Sequence, residues 1–209
     1  MRLYIALVTA ILFVLAGLVV FFLWDLSTER MDQIHTELED KRDIRVAVDK
    51  HSEGNLVTQT DVLVTPVSGQ VLNLSEVNDN VFASGALGKG FAVKPDENIV
   101  VSPVKAEILS VYPTGHVYTM RTEDGAELLV HIGINTVALN GKGFVKFVKA
   151  GDKVLAGQQI GAFDREVVAE AGLDDTVIVV VTNAAEYSEV NIISTGQHSS
   201  NTEVAKLVK

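Results

Sequence analysis

The sequence predicts an all-β domain, an antiparallel β-sandwich or barrel, preceded by one N-terminal transmembrane helix. Three observations lead there. From Val62 onward, short apolar runs are broken repeatedly by Gly, Asn, Asp and Pro, the pattern of many short strands. The stretch Val64-Thr65-Pro66-Val67-Ser68-Gly69-Gln70-Val71-Leu72 is echoed by Val101-Ser102-Pro103-Val104-Lys105-Ala106-Glu107-Ile108-Leu109 at an offset of 37 residues. Two copies of a proline-led turn into a strand suit a sandwich built from two similar motifs and are too few for a solenoid. Third, no residue from Leu3 through Trp24 carries a charge.

The chain has 209 residues, room for one modest domain and an extension. Its formal net charge is −10 with no basic patch, which argues against a nucleic-acid partner. It has no cysteine, which excludes a disulfide framework and a thiolate zinc site.

Residues 1–24 read as a transmembrane anchor. As a helix rising roughly 1.5 Å per residue, Leu3–Trp24 would span about 33 Å, enough for a hydrocarbon core of about 30 Å. Tyr4 and Trp24 stand near its ends, where aromatic rings suit the membrane interface. A cleaved signal peptide fits less well: Val14-Leu15-Ala16 is a poor cleavage site and apolar sequence continues beyond it. Arg30, Lys41 and Arg42 after the span favour a cytoplasmic C-terminus, whereas Arg2 pulls the other way. Residues 25–57 read as a charged juxtamembrane linker, with Met31, Ile34 and Leu38 at helical spacing. His35 and His51 fall there as solvent-exposed bystanders.

Residues 58–209 form the domain. Within it, Thr114–Thr122 and Ala126–Ile134 read as strands joined by Asp124-Gly125, a strong hairpin signal. With a two-residue loop, Glu123 pairs with Ala126, His116 lies opposite Gly133, and His131 lies opposite Tyr118. Both imidazoles then emerge on one face as diagonal neighbours, and Gly133 leaves space beside them. A loop one residue longer would put the rings on opposite faces. His131 sits in the nearly all-apolar run Leu128–Ile134, where a polar ring costs free energy unless it is paired or used. Two such rings can bind a metal, serve as nucleophile and stabiliser, or simply be half-buried polar residues. Further on, a short helix is expected near Arg165–Ala171, ended by Gly172. A polar turn at Gln197–Thr202 should precede a last strand at Glu203–Val208. His198, in that turn, is given no role.

The run Glu127-Leu128-Leu129-Val130-His131-Ile132-Gly133-Ile134-Asn135-Thr136-Val137, followed by Leu139-Asn140-Gly141-Lys142-Gly143-Phe144, closely resembles the active-site strand of the glucose-family IIA domains of the bacterial phosphoenolpyruvate-dependent sugar phosphotransferase system. Pro66-Val67-Ser68-Gly69, Val81-Phe82-Ala83-Ser84-Gly85-Ala86-Leu87-Gly88-Lys89-Gly90 and Pro113-Thr114-Gly115-His116 agree in order and spacing, and Val148–Val154 agrees more weakly. The resemblance runs from about Val62 to the C-terminus. It implies a sandwich of duplicated hybrid-motif type and a phosphotransferase with a phosphohistidine intermediate. His131 would take a phosphoryl group from the phosphorylated histidine-containing carrier protein and pass it to a IIB-domain cysteine. With no cysteine here, that IIB domain must lie on a separate chain. His116 would donate a hydrogen bond to the phosphoryl oxygens, and Thr114 would orient His116. Val81, Phe82, Leu87, Tyr112, Leu129 and Val137 match an apolar rim on which partners dock. Asn135 stands where many members have Asp, and Leu129 where some have an aromatic. No cofactor and no resident metal are implied. The phosphoryl donors being cytoplasmic, the resemblance places the domain on the cytoplasmic side of a single-pass anchor in the cell membrane.

Three alternatives remain at this point. Biotinyl and lipoyl carrier domains share the Pro-x-x-Gly turn and a stretch like Val148–Gly157, but no lysine here has the expected flanks. A zinc peptidase of related architecture needs a His-x-His pair, and position 133 is Gly. A regulatory IIA-like module without a role in transport would carry the same motifs.

Overall fold

The computed structural model describes residues 62–208, within the second of two units, Val57–Lys209. The expected span at 3–24, the linker at 25–57 and both boundaries lie outside the described residues. No helix among the described residues is long and apolar enough to cross a membrane.

Fourteen strands follow in chain order: β1 Val62–Val64, β2 Gly69–Asn73, β3 Lys89–Pro95, β4 Ile99–Val101, β5 Ala106–Val111, β6 Val117–Arg121, β7 Glu127–Ile134, β8 Phe144–Lys146, β9 Lys153–Val154, β10 Gln159–Phe163, β11 Asp174–Val181, β12 Glu189–Ile192, β13 Gly196–His198 and β14 Glu203–Val208. Two short helices, α1 (Asn80–Ala83) and α2 (Arg165–Glu170), interrupt them. The pairings are antiparallel and make three sheets: β13-β2-β3-β11-β7-β6-β5-β9, β1-β14-β12 and β4-β10-β8. The all-β expectation holds.

The sequence echo has a structural counterpart. Val64 N–H donates to Pro103 O at 2.9 Å, and Val101 N–H donates to Pro66 O at 2.7 Å. The two proline-led turns therefore exchange equivalent hydrogen bonds. Thr65 and Ser102, one residue on in each copy, are both fully buried. α2 lies where the helix was expected: the Asp164 carboxylate accepts from the Glu166 and Val167 amides, and Gly172 at φ +69° ends the segment. The polar turn near the C-terminus begins with β13, which pairs with β2, before β14.

The hairpin at Asp124-Gly125 differs from expectation. Thr122 N–H donates to Ala126 O, Gly125 N–H to Thr122 O, and Gly125 takes φ +90°. The loop is thus Glu123-Asp124-Gly125, a turn closed by a left-handed glycine. The register moves by one residue, so His131 pairs with Val117 and Tyr118 with Val130.

Strand alternation then sorts β7. Leu128, Val130 and Ile132 enter the main core with Val177, Val179 and Val181 of β11 and Tyr118 and Met120 of β6. Ile178 and Val180 point the other way, into a smaller apolar cluster with Leu74, Val77, Phe82, Ala92 and Ile134, against which Leu129 packs. β11 is therefore covered on both faces, which is why residues 177–181 read as one apolar run after Thr176. The smaller cluster is the floor on which the site is built.

Candidate functional site

His131 lies on β7 at the margin of that floor, with Ile178 as its β11 partner and Val117 as its β6 partner. Phe82, delivered by α1, meets it edge-on with ring centroids 5.2 Å apart. α1 is fixed there by Asp79, whose carboxylate accepts from the Val81 and Phe82 amides.

With the observed register, strict alternation would send His116 to the core face. It does not, because His116 is not part of the strand. It occupies a bend just before β6 and follows Gly115 at φ +76°, where Gly115 N–H closes a turn onto Tyr112 O. That turn swings the imidazole back, and the His116 and His131 rings meet edge to face at 5.2 Å between centroids. Thr114 Oγ1 lies 2.6 Å from His116 Nδ1. Tyr112 and Phe144 meet His116 edge-on at 5.1 and 6.4 Å.

Gly133 does not open space beside the rings. It takes φ +72°, and a Cβ there would collide with the Thr136 side chain and approach the Asp174 carbonyl at 2.9 Å. Its lack of a side chain lets the chain turn sharply after His131 and pack against β11.

Burial dominates the electrostatics. His131 is pushed down to about 4, first by desolvation and then by the facing His116; the Gly133 backbone and the Asp79 carboxylate oppose the shift. His116 is lowered as well, by burial. Both rings are thus neutral near pH 7. His131 Nδ1 is buried, and a backbone interaction with Gly133 favours the protonated ring. That leaves Nε2 as the nitrogen with access to another molecule.

The expected rim divides in two. Val81, Leu87, Tyr112 and Val137 are exposed, Val81 and Tyr112 by about half. Leu129 is half-buried and Phe82 is only 8% exposed. Phe82 is therefore floor rather than rim: it fills the gap between α1 and the sheet under His131. Asn135 is exposed at φ +61°, a left-handed backbone that Asn and Asp tolerate best.

Asp79 was not legible as a site residue. Its place before an apolar helical turn marks a cap, but nothing local announces its nearness to His131. Among the described residues, no group of three or more His, Cys, Asp or Glu side chains is placed to hold a metal ion. A cavity of about 230 Å³ lies elsewhere, lined by Lys105, Glu107, Leu109, Arg121, Lys153 and Leu155, and includes neither histidine.

Two neutral imidazoles in edge contact, one oriented by a hydroxyl and one open at Nε2 amid apolar surface, fit group transfer to nitrogen. Residues 61–187 match the family of the phosphoenolpyruvate-dependent sugar phosphotransferase system, EIIA 1, and the chain belongs to this phosphotransferase family. It is 43% identical over 128 residues to the "PTS system beta-glucoside-specific EIIBCA component" of Bacillus subtilis, which covers 61% of this chain and 21% of that protein. It is 39% identical over 176 residues to the "Raffinose carrier protein" of Pediococcus pentosaceus, covering 82% of this chain and 27% of that protein. The chain thus spans between about a fifth and just over a quarter of the length of these curated relatives. Among solved structures, glucose permease IIA from Mycoplasma capricolum superposes with a TM-score of 0.63 at 32% identity, covering 69% of this chain and 93% of that one.

Proposed function

We propose that the domain is a phosphocarrier in which His131 Nε2 accepts a phosphoryl group from the phosphorylated histidine-containing carrier protein and passes it to a IIB-domain cysteine during sugar uptake. The Nε2 lone pair attacks phosphorus in line. The new N–P bond forms as the donor's N–P bond breaks, and the bonding pair returns to the donor ring. In the second transfer a IIB thiolate takes the phosphorus and the pair returns to His131. A neutral imidazole is already nucleophilic, so no separate base is required. With the Thr114 hydroxyl donating to Nδ1, His116 carries its proton on Nε2 and offers an N–H to the phosphoryl oxygens.

The observation that carries this reading is the 5.2 Å contact of the two rings with His131 Nδ1 sealed and Thr114 on His116 Nδ1. Val81, Leu87, Tyr112 and Val137 supply an exposed apolar border for docking, with Leu129 partly so. Residues 3–24 anchor the protein in the cell membrane with the domain on the cytoplasmic side, and residues 25–57 tether it, raising its effective concentration near membrane partners to the order of mM.

The test is the mass of the protein after incubation with phosphoenolpyruvate and the general phosphotransfer proteins. One added phosphoryl group on His131 supports the reading; no addition, or a biotin or lipoyl adduct, overturns it. A second reading, a regulatory module that binds other proteins, is motivated by the relatives named raffinose carrier protein and lactose permease. It predicts phosphorylation without onward transfer to a IIB cysteine.

A further inference from the structure

The turn that carries Thr114 and His116 touches a different sheet. β8 pairs only with β10, in the β4-β10-β8 sheet, whereas β6 belongs to the eight-stranded sheet. No backbone ladder joins β8 to the turn, and side chains bridge the gap. Lys146 Nζ donates to Pro113 O at 2.9 Å across 33 residues of sequence. Its stem lies along Gly115, where an added Cβ would sit 3.2 Å from Lys146 Cγ and 3.3 Å from Phe144 Cβ. Phe144, two residues earlier on the same strand, faces the His116 ring. Gly141 lies against the Thr114 backbone from the adjoining loop.

We propose that Lys146 is a positioning residue for His116: its ammonium and stem hold the 113–116 turn against β8, so that Thr114 and His116 keep the orientation that phosphoryl transfer requires. This rests on the phosphocarrier reading above. The side chain is exposed, so its contribution to stability is small. Its leverage is geometric, because a catalytic group displaced by about 1 Å can lose up to roughly a hundredfold in rate. A long apolar stem lying on the backbone is what a lysine adds beyond a point charge.

The decisive variant is Lys146→Met, which keeps the stem and removes the donor. The expected result is a roughly tenfold lower maximal rate of phosphoryl acceptance with unchanged KM for the donor protein. The His116 ring ¹⁵N resonances should shift as the Thr114 contact loosens, and the His131 ring should shift less. Lys146→Arg, which can still reach the Pro113 carbonyl, should restore most of the rate. In a His116→Ala background, Lys146→Met should add no further loss. Wild-type rate and unshifted His116 resonances in Lys146→Met would overturn the proposal, as would an equal loss in the His116→Ala background. The resonance measurement needs no phosphoryl donor, so it stands apart from the test of the phosphocarrier function itself.

Discussion

His131 and His116 stand 5.2 Å apart yet are held in different ways. His131 belongs to an eight-residue strand hydrogen-bonded on both sides, by β6 and β11, with one apolar cluster behind it and another beside it. His116 hangs from a four-residue turn at the end of the β6–β7 ladder, where its carbonyl accepts from Ile132 N–H at 2.8 Å; its ring is braced by Thr114, Tyr112 and Phe144, and Lys146 holds the turn. The ring proposed to bond phosphorus is set by a strand paired on both sides; the ring proposed to stabilise charge is set by a turn at a ladder's end and by the side chains around it. A nucleophile must present one nitrogen along one line, and a central strand gives that rigidity. A stabiliser must follow developing charge, and a side-chain brace can be adjusted residue by residue without disturbing the core.

The sharpest break of this comparison comes from deleting each ring. His131→Ala should abolish stable phosphorylation, while His116→Ala should still accept phosphoryl groups about 10²–10³ more slowly. Rapid-quench phosphorylation of both proteins checks this, and full histidine phosphorylation of the His131→Ala protein would reverse the assignment. Next in size is the floor against the rim. Phe82→Ala should cost about 3–5 kcal/mol in urea unfolding, the usual range for a buried aromatic. Leu87→Asp, at an exposed position, should change stability by about 0.5 kcal/mol or less while weakening transfer from the carrier protein. Equal stability losses would erase the distinction between floor and rim.

A smaller effect compares the two glycines. Gly133→Ala should cost at least about 1–3 kcal/mol, because a left-handed backbone is combined with a clash at Thr136 and Asp174. Gly115→Ala has the same backbone handicap but meets Lys146 and Phe144 side-chain atoms at 3.2–3.3 Å, so it should cost less and act mainly on transfer rate. Denaturation midpoints against rates for the two variants decide it. The remaining contrast is with pH. Histidine ionises near 6.5 in the unfolded chain, and folding lowers the value for His131 to about 4. Between these values the unfolded state binds more protons, so stability is full above about pH 6.5 and declines as pH falls toward 4. His116, also lowered, contributes in the same direction. Unfolding free energy measured from pH 7.5 to 4 should show a shallower decline in His131→Gln than in the wild type.

The strands, α2 and the paired histidines were legible because they rest on local pattern: period-two alternation, an Asp cap, a Gly stop and a hairpin signal. The turn was legible only in kind. Asp124-Gly125 marked the hairpin, but the left-handed glycine closed a three-residue loop and shifted the register. The inference that both rings share a face survived for a different reason, since the turn at Gly115 redirects the His116 side chain at the end of the ladder. Phe82 looked like rim because its burial depends on joining an apolar cluster that includes Ile178 and Val180, about a hundred residues away in the chain. Asp79 and Lys146 escaped for the same reason. Their roles lie in what they approach, and sequence spacing carries no record of that.

The exchange between the proline-led turns has a further consequence. Each turn supplies the carbonyl that the other's amide requires, Pro103 to Val64 and Pro66 to Val101. At this seam the two copies are bonded reciprocally, as two subunits would be across a two-fold axis. Neither turn can close alone, so the seam between the halves forms only after both have been synthesised and brought together. The two halves are equal partners in the seam and unequal in the site: His116 and His131 follow the second turn, while the Asp79 cap and Phe82 follow the first. The echo is repeated at the seam, while each copy leads into different parts of the site.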